Sequence, residues 1–523
     1  MIHPMQQIML IVFGVVSAVL MSLSQVSLWQ RKEYRLDRMK AHLLSPEGSV
    51  SKEWFGIAQA VFLLLAYLAD LEILAVASLG SILLGHAMRI YKRGVFRPDF
   101  TVRAILVLVL TAAALVACVL LCGKQPMSAL HVATVIFFLP VLIAVSVAVV
   151  ALPATLQKRS IISKARVYRN HLKNLTVVGI TGSVGKTSTK AYLVHLLGGE
   201  SETVRATSEH RNSPYSIAQD MLSRLSQKTE VYIAEMGAYI PGEIAEIADI
   251  VQPTVGVVTA IMNQHAALFG SLEALANTKW ELVRAIPKDG IAILNKDDAQ
   301  TQKQAHGLQK KSLWFSVSTH ADVTFSDIVV RLNNTMCWVT IGQEKHDVLL
   351  PVISRGQIIP ALAAAAAAHA LKVDTATIIQ RLASLPRTER TMELRKGKRG
   401  ETVIDDSYSA SEASVTNAIE YLKEINAKDA RLVLVPIIEL GAESSAVHER
   451  IGKLLASLPA RVYMYGDAYK EDIMRGLGGS GILNVTWYTD TEDLERDVQK
   501  DITPETVLLL EGRIPNIVRS ALL

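Results

Sequence analysis

Residues 179–188 read GITGSVGKTS and follow the apolar Leu175, Val177 and Val178. Gly182, Ser183 and Gly185 can turn backbone N–H groups towards one anion. A helix starting at Lys186 adds the positive end of its dipole, and the Lys186 ammonium adds a full charge. Thr187, next in line, can place its hydroxyl on Mg²⁺. The chemistry of such a cradle is the holding of a triphosphate. One position departs from the generic pattern, because Ile180 stands where GxxxxGK[ST] has its first glycine. An ordinary turn between strand and helix is the plain alternative.

Three further residues stand at the ends of neighbouring elements. The run VYIA at 231–234 reads as a strand that stops on Glu235, where an NTPase places a carboxylate near its metal. Residues 242–261 read as helix, Pro turn and strand, ending in Asn263, Gln264 and His265. Residues 272–285 read as a helix carrying Lys279, and the strand 290–294 ends in Asn295. Strand and helix alternate throughout, which indicates an α/β domain with a mainly parallel sheet. Beyond a Pro-containing joint at 385–390, four more apolar runs (403–405, 432–435, 461–465 and 507–510) indicate a second, smaller Rossmann-like unit.

Four ordered segments, GITGSVGKTS, AEMGAYIPGEIAEIA, NQHAALFGSLEALANTKWEL and ILNKDD, resemble the Mur ligases. PGEI and FGS look most like the MurF branch, which adds D-alanyl-D-alanine. The resemblance runs from about residue 175 to the C-terminus and implies ATP and Mg²⁺. It implies that Gly182, Ser183, Gly185, Lys186, Thr187 and Ser188 hold the phosphates, with Asn295 near the adenine. Thr187, Glu235, His265 and Lys279 would serve the metal. Lys279 matches a position that is carbamylated in several of these ligases, and an unmodified lysine in a surface salt bridge is the alternative. Lys186, Lys279 and His265 form the implied catalytic set. Arg390 and Asp406 would reach the nucleotide from the joint and the C-terminal unit, while Asn212 and Tyr408 would lie on the substrate side. The chain departs from the family at Glu389, Ser409, Ser411 and Glu412, and at Glu511-Gly-Arg513 where KGS is usual.

The first third is different in kind. Half of all residues are hydrophobic, and that excess sits in the first 160. Residues 1–173 hold 18 Lys and Arg against 7 Asp and Glu, and the remainder holds 36 against 42. Apolar runs stand at 8–29, 55–69, 73–91, 104–122 and 132–156, with basic segments at 30–53, 92–103 and 157–173, while Asp70 and Glu72 split the 55–91 block and 123–131 has Lys124 as its only Lys or Arg. With the N-terminus outside, every basic segment falls inside. The expectation is a multi-pass inner-membrane protein of about five spans, with the ligase domains cytoplasmic and membrane lipid as a partner. Three cysteines provide no disulfide framework. The expected architecture is therefore an α-helical membrane region (1–170), a phosphate-loop ATP-binding domain with a parallel sheet (171–385), and a Rossmann-like C-terminal domain (386–523).

The resemblance implies an ADP-forming carboxylate–amine ligase. A substrate carboxylate takes the γ-phosphoryl group, and an amine (an amino acid or dipeptide) then displaces phosphate to form the amide. The acceptor would be a cell-envelope precursor of the peptidoglycan type, either soluble or lipid-linked. A membrane NTPase driving transport and a degenerate nucleotide-binding relative are the other readings.

Overall fold

A computed structural model describes residues 4–31, 98–121 and 129–523, apart from 210, 263–268, 270, 409, 438–439, 441–442 and 482–483, together with isolated positions between 34 and 76. The chain divides into two compact units, Met1–Ser160 and Ile161–Leu523.

In the first unit, helices α1 (Pro4–Arg31), α2 (Val102–Leu121) and the start of α3 (Ala129–His171) share a buried seam. Val26, Trp29, Ala104, Val107, Leu139, Ile143 and Val147 fill it. Thr111 donates to Ser146 at 3.0 Å between α2 and α3. Five spans do not appear among the described residues. Among the described residues one helix, Leu130–His171, is long and apolar enough to cross a membrane. The run expected to end at 156 continues as helix through the basic segment, because neither Pro153 nor the lysines and arginines after it break the turn pattern. The 55–91 pair lies outside the described residues. Basic residues counted as loop charge also have other work. Arg169 is buried in the second unit and donates to the carbonyls of Val251 (2.7 Å), Leu172 (2.9 Å) and Leu175 (3.1 Å).

The second unit contains two sheets. The larger has the order β2-β3-β1-β4-β5-β6-β7-β8-β9, with β1 (Thr176–Thr181), β2 (Val204–Ala206), β3 (Val231–Glu235), β4 (Val255–Val258), β5 (Ile291–Asn295) and β6 (Lys311–Ser316) all parallel. β7 (Val323–Val330), parallel to β6, leads into the antiparallel β8 (Thr335–Ile341) and β9 (Glu344–Leu350). The central strands are apolar on both faces, as a sheet covered by helices requires. Strand order reverses between β1 and β4, and in open α/β sheets the crevice at such a switch point is where ligands bind.

The smaller sheet has the order β10-β11-β15-β12-β13-β14: β10 (Glu393–Lys396), β11 (Thr402–Asp406), β12 (Asp429–Leu434), β13 (Arg461–Tyr465), β14 (Val485–Tyr488) and β15 (Thr506–Glu511). All pairs are parallel except β10 with β11. Both sheets agree with the mixed α/β, largely parallel architecture read from the alternation. The antiparallel extension β7–β9 and the edge strand β10 were not foreseen.

One helix joins the two halves of this unit. In α6 (Arg355–Ala370), which follows α4 (Lys186–Leu196) and α5 (Leu272–Ala285) in the chain, every residue from Ala361 to Ala368 is buried, because methyl side chains let neighbours approach from all sides. Its first turns serve as a clasp. A Cβ on Gly356 would come within 2.6 Å of the Asn417 side chain of the C-terminal half, which would have to move aside. Gln357 accepts from Ile353 N–H (3.0 Å) and donates to the Thr391 carbonyl (3.0 Å), fastening the joint between the sheets.

Candidate active site

The phosphate loop closes β1 and opens α4 (Lys186–Leu196). Gly182 has φ +150°, and a Cβ there would collide with Thr259 Oγ1. Gly185, at φ +79°, is the N-cap of α4 and lies against Pro360 of α6, where a Cβ would sit 2.9 Å from the ring. Both positions demand glycine for conformation as well as space. Thr259 Oγ1 donates to the Val184 carbonyl (2.6 Å), and Ser183 N–H donates to the Ala260 carbonyl (2.7 Å). Ser183 Oγ donates to Met262 O at 3.0 Å and accepts from Met262 N–H at 3.1 Å. The loop is thus held from β4 while the first-turn N–H groups of α4 have no intrahelical acceptors. Lys186 Nζ donates to the loop carbonyls of Gly182 (2.9 Å) and Ser183 (3.1 Å). Burial lowers its pKa, and the Glu235 carboxylate opposes that shift.

Glu235 faces this loop because β3 pairs with β1 in register, Ile180 opposite Glu235. Its Oε1 accepts from Thr187 Oγ1 at 2.9 Å, and its Oε2 lies 3.1 Å from Lys190 Nζ. Lys190 was absent from the sequence reading. Its signal was present: it follows Lys186 by four residues and Thr187 by three, so it lies on the same helix face.

Lys279 is buried on α5 (Leu272–Ala285), and its pKa is lowered to about 7. Burial is the main cause and the positive charge of Lys186 the second, which brings the two ammonium groups into one electrostatic neighbourhood. Ser188 is buried in the first turns of α4. His265 lies outside the described residues.

The remaining predicted residues are engaged locally. Asn295 donates to the Thr259 carbonyl (2.8 Å) and accepts from Asp297 N–H (2.9 Å), tying β4 to β5. Arg390, with φ +55°, donates to Ser407 Oγ (3.1 Å) and Ser407 O (2.7 Å) within the joint. Asp406 accepts from Met392 N–H at 3.2 Å. The Asn212 carbonyl accepts from Gly237 N–H (2.9 Å), two residues beyond Glu235. Tyr408 is exposed, and its pKa is raised by burial of part of the ring and then by the charges of Glu235 and Glu209. The Glu235 charge of the phosphate-loop half is thus felt by a phenol of the C-terminal half.

For a metal, the chemistry of the donors decides. Among the described residues no three His, Cys, Asp or Glu side chains gather into a cage. Mg²⁺ held by phosphates and water needs only one or two protein oxygens. Thr187 and Glu235 supply two, 2.9 Å apart beside the anion cradle, so the residues present fit it.

A phosphate loop at the switch point of a parallel sheet, linked to a second Rossmann-like sheet, defines a two-domain nucleotide-binding protein. The comparisons with known proteins make this more particular. The family model for the Mur ligase middle domain matches residues 180–368, and the model for the Mur ligase glutamate ligase domain matches residues 390–514. The UDP-N-acetylmuramoyl-tripeptide–D-alanyl-D-alanine ligase of Mycobacterium leprae is 30% identical over 374 residues, covering 65% of this chain and 71% of that relative. The ligase of the same name from Mycobacterium tuberculosis strain H37Rv is 30% identical over 324 residues. There the match covers 59% of this chain and spans 62% of the relative's length. The crystal structure of MurF from Thermotoga maritima in complex with ADP superposes with a TM-score of 0.60 at 27% identity, covering 69% of this chain and 81% of that one. The chain belongs to the Mur ligase family, and the relatives it matches are of the MurF type.

The multi-pass inner-membrane location is overturned by these findings. The relatives are MurF ligases, and one helix, not five, among the described residues has the length and apolarity of a span. The membrane lipid expected as a partner loses its basis with the location.

Proposed function

We propose that this chain is an ATP-dependent, ADP-forming carboxylate–amine ligase of the MurF type, acting on a peptidoglycan precursor. Its substrates on this reading are the tripeptide carboxylate of a UDP-N-acetylmuramoyl precursor and the amine of D-alanyl-D-alanine, as the relatives' names state for those enzymes. One observation carries the reading: Lys186, Thr187 and Glu235 converge on the mouth of the loop, and the charge of Lys186 reaches the buried Lys279.

Residues 171–385 would hold ATP and 386–523 would present the amine, with 1–170 a separate helical part. The loop N–H groups and Lys186 grip the phosphates and offset the negative charge that grows as the γ-phosphoryl group moves to the carboxylate. Mg²⁺, held by Thr187 and Glu235, would neutralise phosphoryl oxygens. His265 belongs to the same proposed set. With a pKa of about 7, the Lys279 amine is about half neutral at that pH, the form a carbamate requires. Asn295 and the pair Arg390 and Asp406 would border the nucleotide, and Asn212 and Tyr408 the substrate. Closure of the two sheets over the reacting atoms excludes water that would hydrolyse the acyl phosphate.

The test is ADP release with MgATP and each substrate alone or together, with mass spectrometry of the product. Release that needs both the carboxylate and the amine, with a product equal to their condensation, is expected. Release independent of both makes the chain an ATPase, and nucleotide binding without release under any combination makes it a binding relative. Either result refutes the ligase.

A further inference from the structure

Lys190 has no part in the phosphate grip, yet it is among the least exposed lysines of the unit, and its side chain closes a frame around Glu235. Lys190 Nζ lies 3.1 Å from Glu235 Oε2 and donates to the Thr207 carbonyl at 2.9 Å. Thr207 Oγ1 accepts from the Glu235 backbone N–H at 3.1 Å, and Thr207 N–H donates to the Ile233 carbonyl at 2.9 Å. Three residues from a helix, the end of β2 and the end of β3 thus form a closed ring of hydrogen bonds. The side chains of Lys190 and Glu235 are 9% and 7% exposed, so water cannot substitute for either partner. Oε2 is consumed by the frame. Oε1 is left turned to the Thr187 hydroxyl, the other oxygen suited to Mg²⁺.

We propose that Lys190 is a positioning residue: it pins the Glu235 carboxylate so that one oxygen is presented, beside Thr187, to the divalent cation that accompanies the nucleotide. The proposal rests on the reading of the loop as an Mg²⁺–nucleotide site and goes beyond it by assigning Lys190 to the metal's carboxylate and not to the phosphates. Two effects of removing this lysine oppose each other. Loss of a positive charge near the cation would strengthen metal binding, whereas loss of the frame frees a carboxylate that must be ordered again. Partners that orient a metal's ligands typically account for 10–100-fold in metal affinity. Positioning is therefore expected to prevail.

The experiment measures the Mg²⁺ dependence of ADP binding by calorimetry on the full chain, together with ADP binding in EDTA. Lys190→Met is expected to raise the Mg²⁺ half-saturation concentration about tenfold or more, while binding of metal-free ADP changes less than about twofold. Lys190→Arg keeps a cation in reach of both acceptors and is expected to recover most of the loss. In a Glu235→Gln background, Lys190→Met is expected to add nothing, since coupled residues are not additive. Should Lys190→Met fail to fold, Lys190→Gln, which keeps a polar donor at that position, is expected to show a smaller shift in the same direction. Unchanged or tighter Mg²⁺ dependence in the single variant, or a full extra loss in the Glu235→Gln background, overturns the proposal. A wild-type chain that binds no ADP even with Mg²⁺ removes the nucleotide reading itself, and that result is distinct from the others.

Discussion

Two buried carboxylate sites stand at the carboxyl ends of parallel strands in this unit, and they solve the same physical problem differently. At the end of β3, Glu235 is matched by Lys190 and by the Thr187 hydroxyl. At the ends of β11 and β15, Asp406 and Glu511 are register partners, 7% and 0% exposed, and face one another with no cation among the causes that shift them. Burial raises Asp406 to about 6, with Asp405 adding to it and bonds from Glu511 and the Met392 N–H opposing it. Burial, then the Asp406 charge, holds Glu511 well above the usual carboxylate range. Ser414 donates to Glu511 Oε1 at 2.9 Å. One carboxylate lies against a counter-ion; the other two lie against each other, and burial raises both, so that the pair retains a proton above the usual carboxylate range. The first arrangement suits a site that must receive a cation. The second makes the C-terminal sheet sensitive to pH.

The comparison can be broken most directly at its charged end. On the proposed reading, Lys186→Ala removes the positive charge beside the transferring phosphoryl group, and kcat is expected to fall on the order of 10²–10³-fold or more, read as ADP release. An unchanged rate would separate the loop from the chemistry. Glu235→Ala strands Lys190 in a buried setting, and breaking such a pair from one side typically costs about 3–5 kcal/mol. Urea unfolding of the full chain checks this, and a loss below about 1 kcal/mol would mean that the pair is wetter than its burial indicates.

The proton-sharing pair predicts a pH effect of definite sign. An unfolded carboxyl releases its proton near pH 4, whereas the folded pair retains one to about pH 6 or above. The folded state binds more protons in that interval, so stability is greatest at its acid end and declines as pH rises through about 6. Glu511→Gln, which stays neutral, is expected to flatten the decline between pH 5 and pH 8 by on the order of 1–3 kcal/mol in urea unfolding. A slope as steep in the variant as in the wild type would show that other groups set it. The smallest effect is expected where exposure is greatest. Arg355 and Glu424 meet at 2.9 Å between the two halves with side chains 51% and 28% exposed, and Arg355→Ala should cost less than about 1 kcal/mol. A larger loss would indicate that this pair, and not the Gly356 and Gln357 clasp, holds the halves together.

Local sequence sufficed where a residue's conformation or face is set by its near neighbours. GITGSVGKTS specified strand, glycine turn and helix in that order, since two left-handed glycines and an apolar run have few other uses together. The stop of β3 on Glu235 was legible for the same reason, as was the alternation that defines both parallel sheets. Tertiary structure decided the rest, because it depends on which distant segments share a space. Lys190 acquires meaning only when β2 and β3 bring Thr207 and Glu235 to it. Gly356 and Pro360 become a clasp and a buttress only when Asn417 and Gly185 arrive. Composition could not separate spans from packed helices, since removal from water rewards an apolar side chain equally in lipid and in protein.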